Sequence, residues 1–273
     1  MASLFKYTVD TLAALGHRPT KKFGQNFLVD GNVVEKFVRS AGVKRGDRVV
    51  EIGPGLGTVS AEILKCGAEL FAIELDRRLF GFLEKSFGGN ENFFPMNGDA
   101  VKFPIAALDS SCEDYKIVAS LPYSISSAWL DALLQCENLP LSVALIVQLD
   151  AANRFLAQQG TKSFGPASIF LQSAYVKVAM CRIGRNSFHP VPAVDSTMLF
   201  LKRKERPFLF PQATRQIIRK IFTHRRKQIS KIAAGHGILL DPWLGENGLP
   251  STVRPEQIPI GAWQNFQGKI APN

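Results

Sequence analysis

The sequence predicts an α/β fold in which a mostly parallel sheet carries helices on both faces and a small helical domain follows. Two observations predict this fold. Short apolar runs alternate with helical patterns through most of the chain, which is typical of parallel strands joined by crossover helices. The composition then changes at residues 202–207, and only helical spacing follows. At 273 residues the chain is long enough for one large domain and one smaller domain.

Five apolar runs have the length and the bounding residues of buried strands. Apolar side chains between them recur at helical spacing, which predicts helices around residues 33–41 and 79–83 and over residues 126–135. Each predicted strand is therefore followed by a polar or helical stretch, as a crossover connection requires. The predicted strands are Arg48–Ile52, Glu69–Glu74, residues 92–96, Lys116–Ser120 and Ser142–Gln148.

Two further runs, Tyr175–Ile183 and residues 197–202, fit an antiparallel hairpin at the edge of the sheet. The link between them contains Pro190 and Pro192, and proline cannot donate to a central ladder. Beyond the linker, helical periodicity extends over residues 217–233, and a last helix is predicted at 262–266. We therefore divide the chain into a domain of residues 1–204 and a helical domain of residues 205–273.

Charge and cysteine content narrow the class of protein. The net charge of +10 indicates a polyanionic partner. The cysteines (Cys66, Cys112, Cys136 and Cys181) and the four histidines show no metal-ligand spacing, so we expect reduced thiols and no metal. No apolar run approaches the length needed to span a bilayer, and the first residues do not resemble a signal peptide. A cytoplasmic protein is expected.

A glycine-rich loop follows the first predicted strand and points to a nucleoside cofactor. Gly53, Gly55 and Gly57 alternate there, which lets the backbone and the next helix N-terminus approach a ligand closely. Glu74 ends the next strand about 20 residues later, where an acid can hold both ribose hydroxyls. Enzymes that use NAD and enzymes that use S-adenosylmethionine share this pair of features.

Two details favour S-adenosyl-L-methionine. Glu51 lies within the strand that leads into the loop, and the resulting pattern departs from the dinucleotide fingerprint. A second acid, Asp99, follows the third strand, where it can accept a hydrogen bond from an adenine amino group. A dinucleotide enzyme would also need a second nucleotide-binding half and a hydride-handling residue, and neither is visible. The residues therefore predict a methyltransferase.

The fourth strand ends in Ser120-Leu121-Pro122-Tyr123, at the sheet edge where open α/β sheets bind ligands. An aromatic amine is a weak nucleophile because its lone pair is delocalised into the ring. A polar side chain and a proline-fixed carbonyl can accept from that amine, while an aromatic side chain stacks on the base. Phe188, braced by the nearby prolines, offers a second stacking surface.

In several segments, taken in order, the chain resembles the ribosomal RNA adenine dimethyltransferase family. The resemblance implies a Rossmann-like class I methyltransferase sheet with a small C-terminal helical domain. It also implies N6-dimethylation of two adjacent adenosines near the 3′ end of 16S rRNA in the 30S subunit, carried out by a monomer. The matching segments are residues 22–28, 51–58, 73–76, 98–100, 121–123, 188–196, 222–227 and 254–258.

The resemblance also assigns roles to residues and domains. Residues 1–204 would be the donor-binding catalytic domain with an N-terminal basic arm, and residues 205–273 an RNA-binding domain. Ser120, Leu121, Pro122, Tyr123 and Phe188 would be catalytic, with Tyr123 and Phe188 on either side of a flipped adenine. The donor would be bound by Gln25, Asn26, Leu28, Gly53, Gly55, Gly57, Glu74, Leu75, Asp99, Ala100 and Ser120.

Basic side chains are dense from residue 202 to residue 231, where they alternate with the apolar positions of the predicted helix. A second basic cluster, His17 to Lys22, leads into the first matching segment. Such groups neutralise phosphates without reading sequence. The expected RNA-binding residues are Lys21, Lys22, Arg219, Lys220, Arg225, Arg226 and Lys227.

Two departures from the family leave alternatives open. Ser120 stands where relatives have Asn, which offers an acceptor on a longer arm. Leu149 and Asp150 follow Gln148 where relatives commonly have Lys and Glu. One alternative is a 23S rRNA adenine methyltransferase of the erythromycin-resistance type. The other is a catalytically weakened ribosome assembly factor.

Overall fold

The computed structural model describes residues 3–20, 24–122, 124–238 and 240–266. Within it the chain forms two compact units. The first unit comprises Met1–Ala152 and Val176–Arg203, and the second comprises Asn153–Tyr175 and Lys204–Asn273. We refer to them below as the catalytic unit and the C-terminal unit.

A seven-stranded sheet forms the centre of the catalytic unit, with strand order β4-β3-β2-β5-β6-β9-β7. The five strands from β4 to β6 pair in parallel, and β9 pairs antiparallel to β6. The predicted fold class and edge hairpin are thus confirmed. The strand bounds are β2 Arg48–Ile52, β3 Glu69–Glu74, β4 Phe93–Asn97, β5 Lys116–Ser120, β6 Ser142–Gln148, β7 Tyr175–Ile183 and β9 Ser196–Arg203.

Helices alternate with the parallel strands as the pattern predicts. Asp30 and Asp76 start two of them by accepting hydrogen bonds from backbone N–H groups two and three residues ahead, an arrangement that satisfies the first free donors of a helix. The helices that lie wholly in the catalytic unit are α1 Leu4–Ala14, α2 Gly31–Ser40, α3 Thr58–Lys65, α4 Arg77–Phe87 and α5 Ser126–Leu133. Helix α6, Leu149–Phe155, follows β6.

The core of the catalytic unit explains why these elements form. The central strands are buried on both faces, so Val49, Val50 and Ile117 are essentially inaccessible. Helices α2 and α3 contribute Phe37 and Ile63 to the apolar cluster that contains Val49. Burial of such side chains is the main source of folding free energy.

A short two-stranded ribbon lies apart from the main sheet. Strand β1, Phe27–Leu28, pairs antiparallel with β8, Phe188–His189. The backbone N–H of Val29 extends the pairing by donating to the Ser187 carbonyl at 2.8 Å. The ribbon brings the segment that precedes α2 next to the segment that follows β7.

The C-terminal unit is helical, but its boundaries differ from the predicted division at residue 204. Helix α7 contacts α8 and α11, so residues 153–175 group with the end of the chain. The apolar side chains of α7, including Ile169 and Phe170, are buried in this unit. Its helices are α7 Pro166–Ala174, α8 Gln212–Phe222, α9 Ile229–His236, α10 Asp241–Glu246 and α11 Ile260–Gln264.

The periodic stretch at residues 217–233 is not one helix. Helix α8 ends at Phe222, and a turn over residues 223–228 separates it from α9. Arg215 is buried, with its guanidinium 4.5 Å from the centre of the Phe170 ring, although its basic character suggested an exposed position.

Two further findings concern membrane-spanning helices and metal binding. In the part of the chain that the structure describes, no helix is long and apolar enough to cross a membrane. Over the same residues, no three His, Cys, Asp or Glu side chains lie close enough together to hold a metal ion.

Candidate active site

A pocket opens at the carboxyl ends of β2, β3 and β5, against one face of the β1–β8 ribbon. This is the edge of a parallel sheet at which α/β proteins place their ligands. Most of the residues expected to bind a donor or to act in catalysis lie in its wall. They are Gln25, Asn26, Leu28, Gly53, Gly55, Glu74, Leu75, Asp99, Ala100, Ser120, Leu121, Pro122 and Phe188.

The glycine loop has positive φ angles at Gly53 and Gly55, and at Gly55 a close neighbour adds to the requirement for glycine. Gly53 has φ of 68°, and a Cβ there would lie 3.5 Å from Cδ of Pro122. Gly55 has φ of 60°, and its Cβ would lie 3.1 Å from the Phe27 ring. Glycine adopts such dihedrals without steric cost. The loop backbone therefore lies open to the pocket between β5 and the ribbon.

Gly57 has a packing role at the start of α3. It is not among the described residues that line the pocket. Its φ is 73°, and a Cβ would overlap the Phe87 ring and contact Leu83. Glycine is required here because α3 begins directly against α4.

Glu74 lies at the end of β3 with its carboxylate held from two sides. One oxygen accepts from the Gly55 N–H at 3.0 Å and the other from the Asp76 N–H at 2.9 Å. Burial raises the pKa of Glu74, and the backbone hydrogen bonds oppose that effect. Each carboxylate oxygen has a second lone pair, so the group can still accept from ribose hydroxyls.

Glu51 is a second buried acid in the pocket wall. It is buried within β2, and the Ser60 hydroxyl donates to it at 2.5 Å. Its pKa is raised to about 8: burial is the largest cause, the Ser60 hydrogen bond opposes the rise, and the nearby Glu74 charge adds to it. The Glu51 carboxyl is therefore largely neutral at pH 7 in the structure without ligands.

The end of β4 places Asn97, which the sequence patterns did not single out, close to the expected residue Asp99. The Asn97 amide donates to the carbonyls of Glu74 and Leu75 at 2.8 and 3.3 Å, which fixes the end of β3. Asp99 is half-buried in the pocket wall, and one of its oxygens accepts from Val101 N–H at 2.9 Å. The sequence signal that could have identified Asn97 is an amide side chain directly before Gly98.

Ser120 ends β5 beside β6, where it is the register partner of Ile146. Leu121 N–H donates to the Ile146 carbonyl at 3.1 Å, so the strand edge stays ordered as it enters the pocket. Phe188 is buried in β8 and is the register partner of Leu28. Tyr123 lies outside the described residues.

The hydrogen-bond acceptors and apolar side chains of the pocket suit S-adenosylmethionine. Carboxylates at the ends of β3 and next to β4 can accept from ribose and adenine, and Leu75 and Ala100 beside them offer apolar contact for the base. Because Gly53 and Gly55 have no Cβ, the loop backbone leaves space in the pocket for part of the ligand. These are the groups that a cationic nucleoside needs.

The expected RNA-binding residues are not equivalent. Lys220, Arg226 and Lys227 are exposed. Arg219 lies with its guanidinium 5.5 Å from the centre of the Phe170 ring, and Arg225 donates to the carbonyls of Thr161 and Lys162 within the C-terminal unit. Lys21 and Lys22 lie outside the described residues.

The fold and the pocket define a class I S-adenosylmethionine-dependent methyltransferase. The family model described as "Ribosomal RNA adenine dimethylase" matches residues 16–238. The chain belongs to this family and is an rRNA methyltransferase.

Similar proteins cover nearly the whole chain. "Ribosomal RNA small subunit methyltransferase A" of Opitutus terrae is 44% identical over 95% of this chain and 96% of its own. The protein of the same name from Pseudomonas fluorescens is 32% identical over 93% and 94%. A dimethyladenosine transferase from Plasmodium falciparum has the same fold, with a TM-score of 0.68 at 24% identity over 87% and 94% of the two chains.

Proposed function

We propose that this protein dimethylates N6 of two adjacent adenosines near the 3′ end of 16S rRNA, acting as a cytoplasmic monomer on the 30S subunit. The observation that carries the proposal is one continuous pocket wall. This wall contains the two acids that suit a nucleoside donor. It also contains the strand end and the aromatic side chain that suit an adenine. The near full-length similarity to small-subunit methyltransferases supports the choice of substrate.

Within this proposal, Glu74 holds the donor ribose, Asp99 and Leu75 hold its adenine, and the Asn26–Leu28 backbone closes over it. The bound donor would supply an electrophilic methyl group: the carbon–nitrogen bond to the base amine would form as the carbon–sulfur bond of the donor breaks, with S-adenosylhomocysteine leaving and the amine proton passing to water. The chain's own residues bind and orient the two reactants, which is the main source of rate in such reactions.

The acceptor amine is prepared by hydrogen bonding. Ser120 Oγ and the Leu121 carbonyl, which Pro122 holds in place, accept from the two N–H bonds of the amine. Two acceptors draw those N–H bonds toward themselves, so the nitrogen becomes more pyramidal and its lone pair is less delocalised into the ring. Phe188 stacks on the flipped base, and we assign the opposite face to Tyr123 by its sequence position. No side chain has to act as a strong base.

The C-terminal unit would supply phosphate contacts. Lys220, Arg226 and Lys227 are the exposed members of its basic set, so we assign RNA contact to them first. The hydrogen bonds of Arg225 favour a structural role for that residue.

The test uses purified protein, labelled donor and 30S subunits from cells that lack this modification. We expect label in two neighbouring N6-dimethyladenosines near the 3′ end of 16S rRNA. Transfer only to naked 23S rRNA would favour the erythromycin-resistance type of activity. Donor binding without transfer to either RNA would favour an assembly factor.

A further inference from the structure

His17 lies just after α1 and is almost completely buried, with 7% of its surface exposed. The neighbouring basic residues indicated a solvent-exposed cluster, so its burial needs a physical reason. Both ring nitrogens face polar atoms of the catalytic unit. One of these atoms belongs to Gln25 and the other to Asp76, and both residues line the donor pocket.

The contact with Gln25 determines which nitrogen of His17 carries hydrogen. The Thr20 backbone N–H donates to Gln25 Oε1 at 3.1 Å, so the amide presents its oxygen here. His17 Nε2 lies 3.1 Å from that same oxygen. Because the oxygen only accepts, Nε2 must donate. Two donors on one oxygen hold the Gln25 amide in a single orientation.

The other ring nitrogen faces a second residue of the pocket wall. His17 Nδ1 lies 3.8 Å from Asp76 Oδ2. The second Asp76 oxygen accepts from the N–H groups of Arg78 and Leu79 at the start of α4. The imidazole therefore lies between the Gln25 segment, to which it is hydrogen-bonded, and the junction of β3 and α4, against which it packs without a hydrogen bond.

The chain around His17 is fixed to the same elements. Arg78 Nη1 donates to the Gly16 carbonyl at 3.2 Å. Leu12 packs in an apolar cluster with Phe27, Leu56 and Leu79. The imidazole is the polar centre of a larger contact that holds α1 over the pocket wall.

We infer that His17 is a positioning residue for the methyl donor. It does not line the pocket; it acts through Gln25 and Asp76. Without it, the segment that continues to Asn26 and Leu28 must be ordered when the donor binds, and that ordering reduces affinity. The inference rests on the assignment of this pocket to the donor.

Four variants of the full chain test the inference by equilibrium dialysis with labelled S-adenosylmethionine and by steady-state methyl transfer. In His17→Ala the donor Kd rises about tenfold, while kcat at saturating donor and the KM for RNA stay within about twofold. In His17→Gln most of the affinity returns, because the glutamine amide nitrogen reaches the Nε2 position. In His17→Asn it does not return, because the shorter amide reaches only the Nδ1 position.

Thr8→Ala is the matched control. Thr8 is buried on α1, and its hydroxyl has no hydrogen-bond partner among the described residues. We therefore expect the donor Kd of this variant to equal that of the unsubstituted protein. An unchanged donor Kd in His17→Ala would overturn the inference. Parallel losses of donor affinity, RNA affinity and kcat that glutamine does not rescue would also overturn it, since they would indicate only a structural role. If the unchanged chain transfers methyl but binds no donor at this pocket, the donor assignment fails and the inference with it, while the proposed RNA target stands.

Discussion

Ser120 is the residue at which this chain departs from its family in the catalytic segment. It ends β5 in the pocket wall, and its backbone carbonyl lies close to Gly53. A serine hydroxyl is shorter than an asparagine amide and can donate as well as accept. We therefore expect that it holds the acceptor amine less tightly.

Replacing Ser120 with asparagine tests this explanation. In Ser120→Asn the rate of methyl transfer rises about fivefold, the effect of one improved hydrogen bond of about 1 kcal/mol, and the dimethylated share of the product rises with it. Ser120→Ala is the control, and it falls below the unchanged protein because it offers no acceptor. The measurement is the ratio of monomethyl to dimethyl adenosine after single-turnover transfer. No gain in Ser120→Asn would show that serine is not the limiting feature.

The buried Glu51 makes stability depend on pH. Its pKa in the folded protein is about 8, above the ordinary value of 4.5, so the folded state keeps a proton that the unfolded state loses. Its contribution to stability is complete below about pH 4.5 and is lost as the pH rises to about 8, at up to about 1.4 kcal/mol per pH unit.

In Glu51→Gln this dependence disappears. The unchanged protein loses free energy of unfolding relative to the variant between about pH 5 and pH 8, and the difference is constant above about pH 9. Urea unfolding at several pH values, without donor, provides the measurement. Parallel curves for the two proteins across this range would contradict a neutral Glu51.

At the scale of the elements, the sequence predicts the central strands well and the connections between them less well. Strands β2, β3, β5 and β6 follow their apolar runs, because strands buried on both faces need continuous apolar sequence. The pairing of β1 with β8 joins segments far apart in sequence, and two-residue strands carry no periodicity. The break after Phe222 was also missed, because the apolar spacing continues on the far side of the turn.

The start of α3 gives a prediction about packing. In Gly57→Ala the new Cβ meets Phe87 and Leu83 at a positive φ, so we expect a loss of about 2–4 kcal/mol in the free energy of unfolding. Gly46 is the matched control: its φ is 79° but nothing lies within 4 Å of its Cβ position, and Gly46→Ala costs about 1 kcal/mol. Equal losses in both variants would show that the contact with α4 is not tight.

The turn between α8 and α9 separates a structural arginine from an exposed one. Arg225 donates to carbonyls of the 161–162 loop, whereas Arg226 is exposed. Arg225→Ala lowers the melting temperature. Arg226→Ala leaves it unchanged and lowers the salt dependence of RNA binding by about one phosphate contact. Thermal unfolding and filter binding at several salt concentrations distinguish them. A reversed pattern would contradict these assignments.

For the whole molecule, the sequence predicts the fold class and the residues that meet at the sheet edge better than it predicts the division into two units. Strand ends at one sheet edge bring Glu74, Asp99 and Ser120 together, and topology alone predicts this. The grouping of α7 with the C-terminal helices depends on which apolar faces pack together, so Phe170 and Arg215 give no sign of it in sequence. The burial of His17 was equally hidden, because its partner Asp76 is distant along the chain.

The central claim concerns the base that receives the methyl groups. The most direct measurement is to map N6-methylated adenosines on rRNA from cells that lack this gene and from the same cells with the gene restored. We predict that two adjacent dimethyladenosines near the 3′ end of 16S rRNA are absent in the first and present in the second. Unchanged 16S rRNA in the two strains, or a loss confined to 23S rRNA, would contradict the account.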